Sequence, residues 1–425
     1  MREPGAWMDR KRSLLVIGGG IAGLTAAVEA AEIGYSVDLI EKEPSLGGRT
    51  LRSYRYFPKL CPPACGMEIN LRRLKASGLV QCYTMARVTE ITGNPGAFKV
   101  KLDLSPRYVN ERCTACGKCT EVCRTEIPNS FNYGLDRMKA AYLPHDFAFP
   151  MRYVLSSEII GTEDSRRCQE ACGYGAIDVS MQHQTVTREV SAIVVATGWE
   201  PYDASKIRTL GFGTFPNVVS NVMMERIASF DGPTQGRIVR RSDGKDVKRV
   251  AFCQCAGQRD KNHLSFCSRV CCLASLKQAR YVLERFPDAE IYIFYIDLRA
   301  MGLHEQFLSE IRSDKRVHLI RGKVAKISER PDTRNLVVEA EATEEGRIVR
   351  VEVDLAVLAT AMVPTGAQDK IPGLGHAYDE DGFFRDLPGI YVAGCAKRPM
   401  DVAESVQDAT STVLKAIGRK TRMEM

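Results

Sequence analysis

Long apolar runs, histidine clusters and basic stretches are all scarce in this sequence. The longest apolar segments, such as LAVLATAMV, fall far short of a bilayer span, so any membrane role is expected to come through a partner. The six histidines form no cluster with metal-ligand spacing, and no Cys-x-x-Cys-His is present to attach a c-type haem. A net charge of +7 is scattered over 425 residues, which excludes a nucleic-acid-binding stripe. The start, MREPGAWMDRKRSLLVIGGG, has the basic-then-apolar order of a signal peptide. It lacks a small-residue cleavage site and runs straight into a glycine loop, so it is expected to supply a buried first strand.

Cysteine, by contrast, is abundant: there are fifteen. Without a signal peptide the expected compartment is reducing, which favours metal or redox chemistry over disulfides. The length suits two or three domains, each with its own core.

SLLVIGGGIAGLTAAVEAAEIGYSVDLIEKEPSLGGRT reads as strand, tight turn, helix and second strand. Gly18, Gly20 and Gly23 fit G-x-G-x-x-G, in which the first two glycines let backbone approach a pyrophosphate and the third lets helix pack on strand. Glu41 ends the second strand, where an acid can hold a ribose hydroxyl and disfavours a 2′-phosphate. The continuation EKEPSLGGR looks like the two-dinucleotide-binding flavoproteins, in which this loop covers the FAD pyrophosphate. AIVVATGWEPYD (192–203) and GIYVAGCAKRPMDVAESVQDAT (389–410) are similar to the segments by which such chains return to the FAD domain. The resemblance implies FAD contacts from Lys42, Gly48, Arg49, Val88, Thr197, Gly198, Gly394 and Cys395. That family usually has Gly-Asp where this chain has Gly394-Cys395, so backbone amides are expected to replace the missing side-chain contact, with Cys395 a small buried residue.

Where a second glycine loop should receive NAD(P)H, the chain reads KRVAFCQCAGQRDKNHLSFCSRVCCLASLKQARYVLERFPDAEIYIFYI (248–296). Strand, loop, helix and strand are present, but Cys253, Cys255, Cys267, Cys271 and Cys272 stand in place of the glycine triad. No nicotinamide site is expected, and four thiolates from one loop can hold a 4Fe-4S cluster. The spacing resembles the flavin- and cluster-bearing A subunit of heterodisulfide reductases. Carried over residue by residue, that resemblance selects Cys255, Cys267, Cys271 and Cys272 as ligands and leaves Cys253 in the strand. Lys277, early in the following helix, and Glu200, after the ATG turn, are candidates for tuning the flavin.

CTACGKCTEVCR (113–124) fits C-x2-C-x2-C-x3-C, as in two-cluster ferredoxins, where the fourth cysteine of each run crosses to the other cluster. The second run survives only as RRCQEACGYGAID (166–178). Aligning its end makes Cys172 the fourth cysteine and Cys168 the third, with Thr162 and Ser165 at the first two positions. One cluster then keeps Cys113, Cys116, Cys119 and Cys172, while Cys123 and Cys168 are too few for another. A set closed locally by Cys123 gives the same iron count, so the ligand is open between Cys123 and Cys172.

These readings give an α/β, thioredoxin-reductase-like fold of two Rossmann-like domains with a ferredoxin-like α+β insertion. The expected divisions are 1–104 (FAD domain), 105–181 (insertion), 182–245 (FAD return), 246–350 (cysteine-bearing nucleotide-type domain) and 351–425 (FAD closing part). YFPKLCPPACGMEINLRRLK (56–75) resembles the A subunit of the quinone-interacting membrane-bound oxidoreductase (Qmo) of sulfate reducers. That resemblance implies an oxidoreductase subunit carrying FAD and two 4Fe-4S clusters, passing electrons between menaquinol and adenylylsulfate reductase. The implied partners are a second flavoprotein subunit of the same type and a haem-bearing membrane subunit, and the implied place is the cytoplasmic face of the membrane. Two other classes stay open: a thiol–disulfide oxidoreductase using Cys61 and Cys65, and a scaffold with a structural FAD. A soluble heterodisulfide-reductase-like complex with electron bifurcation is a further alternative.

Overall fold

The computed structural model describes residues 12–423, so the basic N-terminal stretch lies outside the described residues apart from Arg12. Two five-stranded parallel sheets form the body. The first runs, in spatial order, Ile390–Val392, Ala192–Val195, Ser13–Ile17, Ser36–Glu41 and Val80–Thr84. Its central strand, SLLVI, is buried along its whole length, as expected for a parallel strand covered on both faces. The alanine-rich helix Ile21–Glu32 packs on this sheet and on the long C-terminal helix Val402–Met423, its small side chains allowing close approach. An antiparallel sheet of Gln184–Val190, Ala97–Leu104 and Ala86–Asn94 covers the other face, with Phe98, Val100 and Leu102 alternating inward.

The second sheet runs Val218–Ser220, Leu355–Thr360, Arg249–Ala256, Glu290–Tyr295 and Val317–Arg321. Its membership moves two expected domain edges. Val218–Ser220 pairs with Leu355–Thr360, and helix Asn221–Ala228 enters the core of this second unit. Residues 218–228 therefore lie with the second sheet rather than with the FAD return segment. Leu355–Thr360, assigned to the closing part, is likewise a central strand of the second sheet.

Between the two units sits the insertion, closed by an antiparallel bridge from Val109 to Ile177. Its short helices Lys118–Val122 and Glu163–Ala171 pack together over a small core that includes Cys119, Cys123 and Cys168. The insertion is tied to the second unit by Arg226, which is only 1% exposed. Arg226 Nε donates to Asn132 Oδ1 at 2.7 Å, Nη2 donates to the Asp231 carbonyl at 3.0 Å, and the guanidinium lies 4.6 Å from the Phe131 ring centroid. Replacing it strands the buried Asn132 and opens a cavity. Arg226→Ala is expected to cost about 2–3 kcal/mol, read as a lower denaturant midpoint. A loss under about 0.5 kcal/mol would show that this contact does not hold the insertion.

Candidate functional site

A cavity of about 920 Å³ runs between the two units, floored by the carboxyl ends of first-sheet strands. Gly18, Gly20 and Gly48 line it together. A Cβ on Gly48 would stand 2.9 Å from the Gly20 Cα, and one on Gly23 would stand 1.8 Å from the Gly18 carbonyl oxygen. Both glycines are therefore required by backbone contact. Glu41 is buried, and its carboxylate accepts N–H groups from Gly19 at 2.7 Å and Glu43 at 2.8 Å. Burial raises its pKa against those two hydrogen bonds. A strand-to-helix turn with a buried acid, facing an open cavity, fits the ADP half of FAD.

Val88, Thr197 and Gly198 also line the cavity, whereas Gly23 lies behind its wall. The backbone N–H of Gly394 donates to Asp408 Oδ2 at 2.9 Å, and Asp408 also pairs with Lys397. Cys395 reaches the cavity, and its thiol donates to the Met400 carbonyl at 3.4 Å. Burial pushes that thiol up to about 11.

Glu200 and Lys277 both line the cavity, but neither is a solitary charge. Glu200 pairs with Arg49 and, at 3.6 Å, with Lys42. Arg49 is further held over the Trp199 and Tyr133 rings, and burial lowers its pKa. Lys277 Nζ stands 3.1 Å from Glu225 Oε1, and both side chains are 8% exposed. Glu225 also accepts from Gln278 at 2.6 Å, the Tyr281 hydroxyl at 3.2 Å and the Tyr54 N–H at 3.0 Å. Sequence reasoning missed Glu225 because its partners lie more than fifty residues away, although Lys277, Gln278 and Tyr281 do share one helix.

The cysteine loop borders the same cavity through Cys271. Arg249–Ala256 ends in a register shift, with Cys255 left-handed at φ 62°, and Cys271 and Cys272 open the next helix. Burial first, and then Cys272, Cys267 and Cys255 beside it, hold the Cys271 thiol up at about 12. Thiols that raise one another's pKa are the kind of donor set that a cationic metal turns into thiolates. Gln258 Nε2 donates to Cys271 Sγ at 3.0 Å and the Arg269 N–H to Cys267 Sγ at 3.3 Å, as suits a sulfur cluster of negative charge. Arg259 and Arg299 flank the loop, joined through Asp297. Cys253 is buried within the sheet.

In the insertion, burial, followed by Cys113 and Cys116, raises the Cys119 thiol to about 11. Cys172 Sγ accepts the Ala176 N–H at 3.3 Å and packs on the same small core. Cys123 and Cys168 stand beside each other, and burial and then Cys123 push the Cys168 thiol up to about 12. Asp164 closes that side. Its buried carboxylate accepts from the Arg124 and Thr125 N–H groups and the Thr125 hydroxyl, and pairs with Arg167. Burial opposes ionisation there, but these bonds hold its pKa down to about 2. Thr162 and Ser165, at the two missing cysteine positions, spend their hydroxyls on the backbone carbonyls of Ile159 and Thr162. Among the described residues no three His, Cys, Asp or Glu side chains already converge on one metal position.

A family described as NAD(P)-binding Rossmann-like domain matches residues 16–69. Over 417 residues the chain is 37% identical to an iron-sulfur A subunit of the CoB–CoM heterodisulfide reductase of Methanopyrus kandleri, covering 95% of this chain and 63% of that one. The chain is homologous to heterodisulfide reductase A subunits over almost its whole length. A second such subunit, from Methanocaldococcus jannaschii, is 37% identical over 94% of this chain and 63% of its own length. The chain thus spans under two thirds of these relatives. In fold, it is similar to thioredoxin reductases of T. acidophilum (TM-score 0.53, 14% identity, 96% of this chain and 99% of that one) and Lactococcus lactis (0.54, 14%, 98% and 100%). The two-domain, thioredoxin-reductase-like fold expected from the resemblance is the observed one. No helix among the described residues is long and apolar enough to cross a membrane.

Cys123 stands against Cys168 and Asp164, and Cys172 is proposed as the fourth ligand of the ferredoxin-type site. Cys172→Ala is expected to lose about four irons per chain, and Cys123→Ala none. Iron loss from the Cys123 variant alone would reverse the assignment.

Proposed function

We propose that this chain is an electron-transfer subunit of an oxidoreductase, with FAD in the glycine-walled cavity and two 4Fe-4S clusters. One cluster is assigned to Cys255, Cys267, Cys271 and Cys272, the other to Cys113, Cys116, Cys119 and Cys172. The observation that carries this reading is that Cys271 and the glycine cradle line one cavity. FAD bound there would exchange electrons singly or in pairs, and a cluster would carry them singly.

The residues support that exchange in separate ways. Gly18, Gly20 and Gly48 leave room for a pyrophosphate, and Glu41 keeps lone pairs for a ribose hydroxyl beyond the two N–H groups it accepts. Lys277 and Glu200 act on the flavin through the imbalance of their ion pairs rather than as free charges. Cysteines fill the loop where a nicotinamide dinucleotide would need glycine.

The finer reading is that of a subunit of a membrane-associated, quinone-linked oxidoreductase complex of sulfate reducers. Its partners are a second flavoprotein subunit, together with a haem-bearing membrane subunit that oxidises menaquinol, and adenylylsulfate reductase is its acceptor. The resemblance of residues 56–75 to that complex supports it. The chain would then reach the cytoplasmic face of the membrane through those partners. CoB–CoM heterodisulfide reduction, for which the relatives are named, supports a second reading, in which the chain serves a soluble complex of that type. In the assembled complex, a menaquinol analogue should reduce the flavin under the first reading, and reduction only by a ferredoxin-type donor would favour the second.

For the chain itself, stoichiometric NADH or NADPH is expected to leave the flavin absorbance unbleached, while dithionite bleaches it. Bleaching by either nucleotide at a catalytic rate would overturn the electron-transfer assignment without a nicotinamide site.

A further inference from the structure

Gln258 is 1% exposed and lies inside the cysteine loop. It follows Cys255 closely, and its own N–H bonds the Cys255 carbonyl at 3.3 Å. Its side chain meets three partners. Oε1 accepts the Ser268 N–H at 2.8 Å, and Nε2 donates to the Ala359 carbonyl at 3.3 Å and to Cys271 Sγ at 3.0 Å. The two backbone partners fix which end is which. An N–H can only face the amide oxygen, and a carbonyl can only face the amide nitrogen. The second amide hydrogen is thereby aimed at the sulfur of Cys271, the one cysteine of the loop that lines the cavity.

We infer that Gln258 is a positioning residue that sets the reduction potential of the cluster at its cavity-facing sulfur. The inference rests on the proposed ligand set of Cys255, Cys267, Cys271 and Cys272. Reducing a cluster adds one electron, and part of that negative charge falls on the thiolate sulfurs. A fixed N–H aimed at one of them favours the reduced state and raises the potential. The amide is held by two backbone groups of different elements, so it needs no reorganisation when the electron arrives. A buried glutamine that served only to brace the loop would need its two backbone bonds alone.

The test is an EPR-monitored redox titration of the FAD-loaded, cluster-loaded chain and of two variants. Gln258→Glu keeps an oxygen for the Ser268 N–H but has no hydrogen for sulfur when ionised. Gln258→Met keeps the volume and has neither. Both are expected to retain the wild-type iron content and to lower the potential of one cluster only. The expected shift is about tenfold in the ratio of reduced to oxidised cluster, about 59 mV for one electron, and larger in the glutamate variant. Retained iron with unmoved potentials in both variants would overturn the inference. Loss of about four irons from both would overturn it as well, leaving Gln258 a brace. Wild-type iron content in Cys271→Ala would mean that the ligand assignment has failed instead.

Discussion

Everything in this molecule depends on two parallel sheets delivering their strand ends to one cavity. In the first sheet the chain leaves the central strand through Gly18, where a Cβ would stand 2.3 Å from the Ala196 carbonyl oxygen. In the second sheet the equivalent exit is through Cys255, and the helix that follows begins with Cys271 and Cys272. The same architecture that offers a dinucleotide two cradles here offers one cradle and one set of thiols. Cys271 shares the cavity with Gly18 and Gly48, and on this the proposal of electron exchange between the two cofactors rests.

Lys277 and Glu200, which line that cavity, are both ion-paired within the protein. Burying Lys277 alone would be costly, and Glu225 meets it at 3.1 Å with three further donors on the same carboxylate. Glu200 is likewise held by Arg49 and Lys42. The ferredoxin-type insertion shows a comparable economy. On the side of the insertion that holds Cys123 and Cys168, Asp164 accepts from the Arg124 and Thr125 N–H groups and pairs with Arg167, with the Cys123 sulfur 3.9 Å from its Oδ2. Without that carboxylate the Arg124 and Thr125 backbone donors would be left unsatisfied.

Much of the fold was legible in the sequence because its signals are local. SLLVIGGGIAG carries strand, turn and helix within a few residues, and the cysteines of the 255–272 loop are neighbours along the chain. What escaped was set by contacts between distant segments. Val218–Ser220 is three residues long, too short to announce itself, and joins the second sheet only by pairing with Leu355–Thr360. Glu225, Asp408 and Asp164 gave no motif, since each is defined by partners brought to it by the fold. Gln258 was hidden for the same reason: a lone glutamine between cysteines has no meaning until Ser268 and Ala359 orient it. Cys61 and Cys65 lie at the start of helix Pro63–Ala76 beside Tyr56, which lines the cavity, and their thiols raise the Tyr56 pKa after burial does.

The central claim is that the flavin cavity and the Cys271 loop form one electron-exchange site. Pulsed EPR on the partly reduced, FAD-loaded chain tests it most directly. A flavin radical beside a reduced cluster relaxes fast, and the account predicts that Cys271→Ala with FAD retained abolishes this fast relaxation while the signal of the ferredoxin-type cluster persists. Unchanged flavin relaxation in that variant would contradict the account.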